Sequence, residues 1–266
     1  MTASAAVFDQ NVERWDQEQR QPWQKLKYKL VQAHLAKHIG QGQWPQLVLD
    51  AGGGNGLDSI PFAARGHRVE IIDYSKAMLA DAERQAAAAG AADRVTLHFG
   101  DVREVARLWP AAQFDLVLCH NVIQYVDDLP GVLRDLIAAL KPGGLISIVS
   151  INRFSIPYRI AFPRGNLAEA LAQVDARRQQ AILFDAPMTC YSAGELMEML
   201  IGVGCAIEQD YGLRCVCDYW GDNDLKADPA VLQQLEALEF ALAERHPYKL
   251  LGRYFQVIAR KSQPAS

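Results

Sequence analysis

The sequence predicts an α/β protein with a mostly parallel sheet and helices on both of its faces. Three observations carry that expectation. Short apolar runs alternate with helical segments from Leu47 to Ile151, as repeated strand–helix–strand units do. A glycine cluster, Gly52-Gly53-Gly54-Asn55-Gly56, follows the first apolar run; there a strand turns into a helix and backbone can approach a ligand without a Cβ in the way. Acidic residues stand at the ends of three successive runs: Asp50, Asp73 and Asp101.

Taken in order, residues 8–39 read as helical, with Trp23, Leu26, Leu30 and Ala33 at helical spacing. Leu47-Val48-Leu49 is the first strand, and residues 57–65 suit a helix. Val69–Asp73 is the second strand. Ser75 is the expected N-cap of a helix that runs through Ala89 and stops at Gly90. Val95–Phe99 and Phe114–Cys119 are strands three and four, and Pro130 opens a helix ending near Leu140. Lys141-Pro142-Gly143-Gly144 turns into strand five, Leu145–Ile151. The alternation then pauses. Residues 152–190 read as an aromatic-rich loop, a polar helix over 166–181 and a second loop. Ser192-Ala193-Gly194-Glu195 is a capping box. Strands near 206–211 and 254–259, with a helix over 229–245 between them, bring the sheet to seven. The simplest organisation is one domain over 1–266, with a helical cap at 1–44 and an insertion at 152–190 that forms a lid over the cleft.

Composition narrows the function. The chain has 266 residues, half of them hydrophobic, and a net charge of −4, so a sizeable core is expected and no overall basic footprint for nucleic acid. The N-terminus lacks a basic region followed by an apolar stretch, and no window approaches a membrane span. A cytoplasmic location with no membrane partner is expected. The five cysteines include only Cys215-x-Cys217 as a close pair, with no histidine cluster to complete a metal site.

The loop Val48-Leu49-Asp50-Ala51-Gly52-Gly53-Gly54-Asn55-Gly56 is the strongest signal. An NAD-binding domain is its main rival, but Gly52, Gly54 and Leu57 leave the third position of G-x-G-x-x-G unfilled. With Asp73, Gly100-Asp101-Val102, Phe114-Asp115-Leu116-Val117 and the Lys141–Gly144 turn in order, residues 45–151 resemble the class I S-adenosylmethionine (SAM)-dependent methyltransferases. The resemblance implies a Rossmann-like seven-stranded fold with a small insertion after strand five. It implies SAM as cofactor and S-adenosylhomocysteine (SAH) as product. Asp50 and Gly52, Gly53 and Gly54 would hold the methionine end, Asp73 the ribose, and Asp101 and Val102 the adenine; His120 would line the cleft beside the methionine.

Two later blocks, Tyr211–Tyr219 and His246–Lys261, are similar to segments of the bacterial tRNA 5-carboxymethoxyuridine methyltransferases, as are Asp50–Gly54 and Ala64-Arg65-Gly66-His67. A cofactor-contacting arginine of that family falls on Lys27. The resemblance implies methylation of a carboxylate on a modified wobble uridine in tRNA. An ionised carboxylate needs cations and no base, which makes Arg214 and Arg253 the candidates to hold it; Tyr219, Tyr248 and Tyr254 would orient the acceptor or stack on a base. A phenol or amine acceptor would instead ask for a base, and His120 is the nearest. Arg153, Phe154, Tyr158 and Arg159 form either a patch for bases and phosphates or a lid over a small aromatic ligand. A small-molecule O- or N-methyltransferase and a SAM-binding protein without turnover are the competing readings; the intact loop, Asp73 and Asp101 weigh against the latter.

Overall fold

In a computed structural model, which describes residues 19, 21–39, 46–181 and 186–263, the first five strands form where the apolar runs lie. They are β1 Leu47–Ala51, β2 Arg68–Asp73, β3 Val95–Phe99, β4 Phe114–His120 and β5 Leu140–Ile151. The helices between them are α2 Ile60–Ala64, α3 Lys76–Ala88, α4 Val105–Leu108 and α5 Leu129–Ala139, preceded by α1 Lys25–His38. Ser75 caps α3 by accepting from the Met78 amide at 3.1 Å. Asp128 caps α5 through the Gly131 amide, which puts Pro130 second rather than first in the helix. The predicted helical stretch before Gln19 and the cap residues 40–45 lie outside the described residues.

The sheet runs β3-β2-β1-β4-β5-β9-β8, with β8 Cys205–Leu213 and β9 Tyr254–Lys261. β1 pairs in parallel with β2 and β4, while β9 is antiparallel to both β5 and β8. A central parallel strand is covered on both faces, so it reads as a continuous apolar run rather than an alternating one. Val48 and Leu49 are both fully buried but enter different cores. Val48, Leu116 and Leu118 pack with Leu30, Leu35 and Phe62 of α1 and α2. Leu49, Val117 and Cys119 pack with Leu133 and Leu136 of α5 and with Leu196 and Leu200 of α8, Ala193–Gly202. The chain leaves β1 toward one edge of the sheet and returns at β4 toward the other, and this reversal opens a crevice at the carboxyl ends of the two strands.

The segment 152–190 departs from expectation. Its aromatic loop is a helix, α6 Ser155–Arg164, and the polar helix is cut to α7 Leu167–Ala172. A hairpin of β6 Arg178–Ala181 and β7 Ala186–Thr189 replaces the rest. Pro157 lies in the first turn of α6, where its missing N–H has no intrahelical partner. Gly165, in the left-handed region at φ 63°, ends that helix. The Ser192–Glu195 capping box opens α8 as expected. Two helices close the chain before β9: α9 Asn223–Ala227 and α10 Pro229–Leu242. Among the described residues no helix is long and apolar enough to cross a membrane, no group of side chains is arranged to hold a metal, and all five cysteines are free and buried.

Candidate active site

The glycine loop is built by backbone rather than by side chains. The amides of Gly52 and Gly53 both donate to the Ile72 carbonyl, at 2.8 and 3.2 Å, folding the loop against the end of β2. Gly52 and Gly54 have φ of 71° and 54°. A Cβ on Gly52 would overlap Val122, and one on Gly53 would lie 2.5 Å from the Asp50 carboxyl. Asp73 ties this loop to α3: Oδ2 accepts from the Gly54 amide at 2.9 Å and Oδ1 from the Ser75 amide at 2.8 Å.

A cleft of about 970 Å³ opens over this loop. Its walls include Gln24, Lys27 and Tyr28 of the N-terminal segment, Gly52–Asn55, Leu57 and Asp58, Asp73 and Tyr74, Gly100–Arg103, His120–Val122 and Gln124–Val126. Lys27, Gly52, Gly53, Gly54, Asp73, Asp101, Val102 and His120 therefore meet at one cleft, as the sequence reading expects of a cofactor site. Asp50 lies beneath the wall rather than in it. Asp101 differs from expectation in one respect. Its carboxylate already receives Arg103 Nε and Nη2 at 2.7 Å each and the Arg103 amide at 2.9 Å. Burial acts to raise its pKa, but Arg103 outweighs it and holds the carboxyl below the usual range.

Sequence reading missed Asp58. It lies in the cleft wall with Oδ1 3.4 Å from His120 Nδ1. Burial favours its neutral form, yet His120 and then Lys27 hold its pKa below the ordinary value. Asp50 goes the other way: burial, reinforced by Asp58, pushes its carboxyl up to about 7. A carboxyl with a raised folded-state pKa stabilises the fold fully below the unfolded value near 4, and that contribution is lost as pH rises through 7. Unfolding at pH 4 to 8 should show it. The wild type should lose about 4 kcal/mol relative to Asp50→Asn across that window, and parallel curves would refute the assignment.

Asp50 Oδ2 has no hydrogen-bond partner, and Asp58 Oδ1 and His120 Nδ1 have none beyond each other, at 3.4 Å. Buried polar atoms of native proteins are normally satisfied, so the cluster calls for a polar ligand. SAM fits: its methionine end carries an ammonium and a sulfonium for the carboxylates, and the loop leaves no Cβ in its way.

Another part of the cleft wall is cationic. Arg253 and Tyr254 line it, and so does Arg159 of α6. Arg253 Nη1 donates to Asp218, which also pairs with Arg214 at 2.7 Å. Burial opposes ionisation of Asp218, but Arg214 and then Arg253 hold its pKa low. Arg159 has no ion-pair partner among the described residues; burial and the neighbouring Arg253 bring its pKa down to about 10. The Tyr254 phenol, which burial would raise, is lowered by Arg253, Arg214 and Lys27.

Arg214 and Tyr219 are not in this cleft. Arg214 is 2% exposed, holds a left-handed φ of 59°, and turns into a second, smaller cavity beside Asp218 and Gln24. Tyr219 donates its hydroxyl to the Leu251 carbonyl and packs its ring on Tyr158 and Phe162. Glu239 of α10 pins the loop between them by accepting the Cys215, Val216 and Cys217 amides. Phe154, Tyr158 and Tyr248 are exposed outside the cleft. Arg159 was visible in the sequence as a lid residue; its cleft-facing spacing with Ile156 and Ile160 shows only once the segment is a helix.

Comparison with known proteins agrees with this geometry. Residues 48–144 match the methyltransferase-domain family. The chain is 31% identical over 216 residues to the tRNA 5-carboxymethoxyuridine methyltransferase of Escherichia coli K12, covering 81% of this chain and 80% of that one. It is 34% identical over 110 residues, 41% of each chain, to the malonyl-[acyl-carrier protein] O-methyltransferase of Enterobacter lignolyticus. The fold is shared with magnesium protoporphyrin IX methyltransferase from Synechocystis PCC 6803 with bound SAH (TM-score 0.63, 15% identity, 97% of both chains). It is shared also with a Burkholderia thailandensis 1,6-didemethyltoxoflavin-N1-methyltransferase (TM-score 0.59, 20% identity, 97% of this chain and 89% of that one). The chain belongs to the class I SAM-dependent methyltransferase family, as a divergent relative of tRNA 5-carboxymethoxyuridine methyltransferase.

Proposed function

We propose that this enzyme methylates the carboxylate of 5-carboxymethoxyuridine in tRNA, making a methyl ester. The observation that carries the reading is the charge at the acceptor end of the cleft. Two guanidiniums, of Arg159 and Arg253, line it, and the one carboxylate beside them, Asp218, is shared with Arg214 outside the cleft. Buried charge without a counter-ion is costly, so the cluster favours an anionic guest. The 31% identity to a tRNA 5-carboxymethoxyuridine methyltransferase over most of both chains supports the same acceptor.

In this reading Gly52, Gly53, Gly54 and His120 hold the methionine end, with Asp50 beneath and Lys27 above. Asp73 takes the ribose hydroxyls, and Asp101 and Val102 border the adenine. When bound, SAM supplies an electrophilic methyl group on sulfur. Arg253 and Arg159 grip the acceptor carboxylate and aim one oxygen at that methyl; Arg214 acts through Asp218, fixing Arg253. The methyl would pass from the sulfonium sulfur, which would keep the bonding electrons, to the acceptor oxygen, and the ionised acceptor would need no proton removed. The carboxylate is already ionised at neutral pH, so rate comes from alignment and exclusion of water. The second reading, a small-molecule O- or N-methyltransferase, draws on Gln179, Gln180 and Met188 of the insertion, which line the cleft as a lid over a metabolite would.

Labelled SAM and tRNA from cells lacking the gene provide the test. Label should enter tRNA and be released by mild alkali, as an ester is. Failure to label tRNA, with SAM binding intact by calorimetry, would move the enzyme to a small-molecule acceptor.

A further inference from the structure

Four buried polar side chains form one hydrogen-bonded file from the N-terminal helix, across one face of the sheet, to the cleft. His34 of α1 contacts Gln256 of β9, with Nδ1 to Oε1 at 3.0 Å. Gln256 Nε2 donates to Ser147 Oγ of β5 at 3.0 Å. Ser147 Oγ is 2.9 Å from His120 Nε2, at the end of β4. His34, Gln256 and Ser147 are each no more than 1% exposed, so no water competes along the file. Register explains the alignment. Ser147 lies opposite Leu118 on β4 and Ile258 on β9, so His120 and Gln256 are each two residues off on the same face.

The donors and acceptors along this file have one consistent direction. The Gln256 carbonyl oxygen only accepts, so His34 must donate from Nδ1. Burial pushes His34 down to about 4, which leaves its ring a single hydrogen at neutral pH. The Gln256 amide nitrogen only donates, so Ser147 accepts from it and keeps one hydrogen of its own. That hydrogen is directed to His120 Nε2. The His120 hydrogen is then on Nδ1, the nitrogen that faces Asp58 at 3.4 Å.

We infer that His34, Gln256 and Ser147 are positioning residues that fix His120 as the Nδ1–H tautomer, presenting a donor toward Asp58 in the cofactor cleft and occupying the nitrogen that a general base would need. The file also makes the helix α1, which carries Lys27, part of the cofactor site. The inference rests on His120 lining the cleft and holds for any acceptor that needs no base.

The test is the tautomer. Long-range ¹H–¹⁵N spectra of the whole protein labelled at histidine should show the His120 hydrogen on Nδ1. Gln256→Glu replaces the donating amide by a group that only accepts. Ser147 must then donate to Glu and accept from His120, so the His120 hydrogen should move to Nε2 and SAH affinity should fall several-fold. Ser147→Ala, a milder change that carries the test where the first variant does not fold, should leave a mixture of tautomers and an intermediate affinity. A hydrogen on Nε2 in the wild type, or a tautomer unmoved in the folded variants, would overturn the inference.

Discussion

Asp73→Ala is expected to weaken SAM and SAH binding by about a hundredfold or more, which removes turnover at ordinary cofactor concentrations. The effect is large because Asp73 has two tasks. Its carboxylate organises the loop through the Gly54 and Ser75 amides, and in the proposed function it also takes the ribose hydroxyls. Hydrogen bonds to a charged group are each worth about 1.5–3 kcal/mol, and the variant leaves two backbone amides without their acceptor. Asp73→Asn should recover part of the affinity, because an amide oxygen still accepts one of the two. Titration calorimetry reads both variants; binding unchanged in Asp73→Ala would displace the cofactor from this loop.

Arg253→Met should cut kcat/KM for the acceptor by about a thousandfold while SAM affinity stays within about twofold. Arg253 stands where the cleft meets Asp218, so its removal takes a guanidinium from the proposed acceptor site without touching the glycine loop. Asp218 remains paired with Arg214 at 2.7 Å, so the fold should survive and thermal melting should confirm it. Arg253→Lys keeps the charge and loses the two-pronged geometry, and should recover only part of the rate. Arg159→Met, which removes the unpaired cation, should act mainly on acceptor KM.

Much of the cofactor half was legible because its constraints are local. A central parallel strand must be apolar throughout, a tight strand–helix turn must be glycine, and a helix start must be capped, so Leu47–Gly56, Asp73 and Ser75 could be read directly. The insertion was harder. α6 carries a proline in its first turn and aromatics on its outer face, which read as loop, and the hairpin of β6 and β7 has little β-branched content to announce it. The acceptor end was half legible for a related reason. Arg214 and Arg253 both flank strands and look equivalent in sequence. Only the left-handed backbone at Arg214, with Asp218 one turn on, sends the first inward and leaves the second in the cleft. Asp58 carried no spacing signal, since its role depends on His120 arriving from a strand sixty residues away.

The most direct test is the choice between two acceptors that differ only in the carboxymethyl group. Equal amounts of one tRNA, bearing either 5-carboxymethoxyuridine or 5-hydroxyuridine, would be incubated with labelled SAM and digested to nucleosides for mass analysis. A methyl ester is expected on the first and no product from the second, with that selectivity lost in Arg253→Met. Methylation of the 5-hydroxyl, or equal labelling of both, would contradict a cleft built to hold a carboxylate.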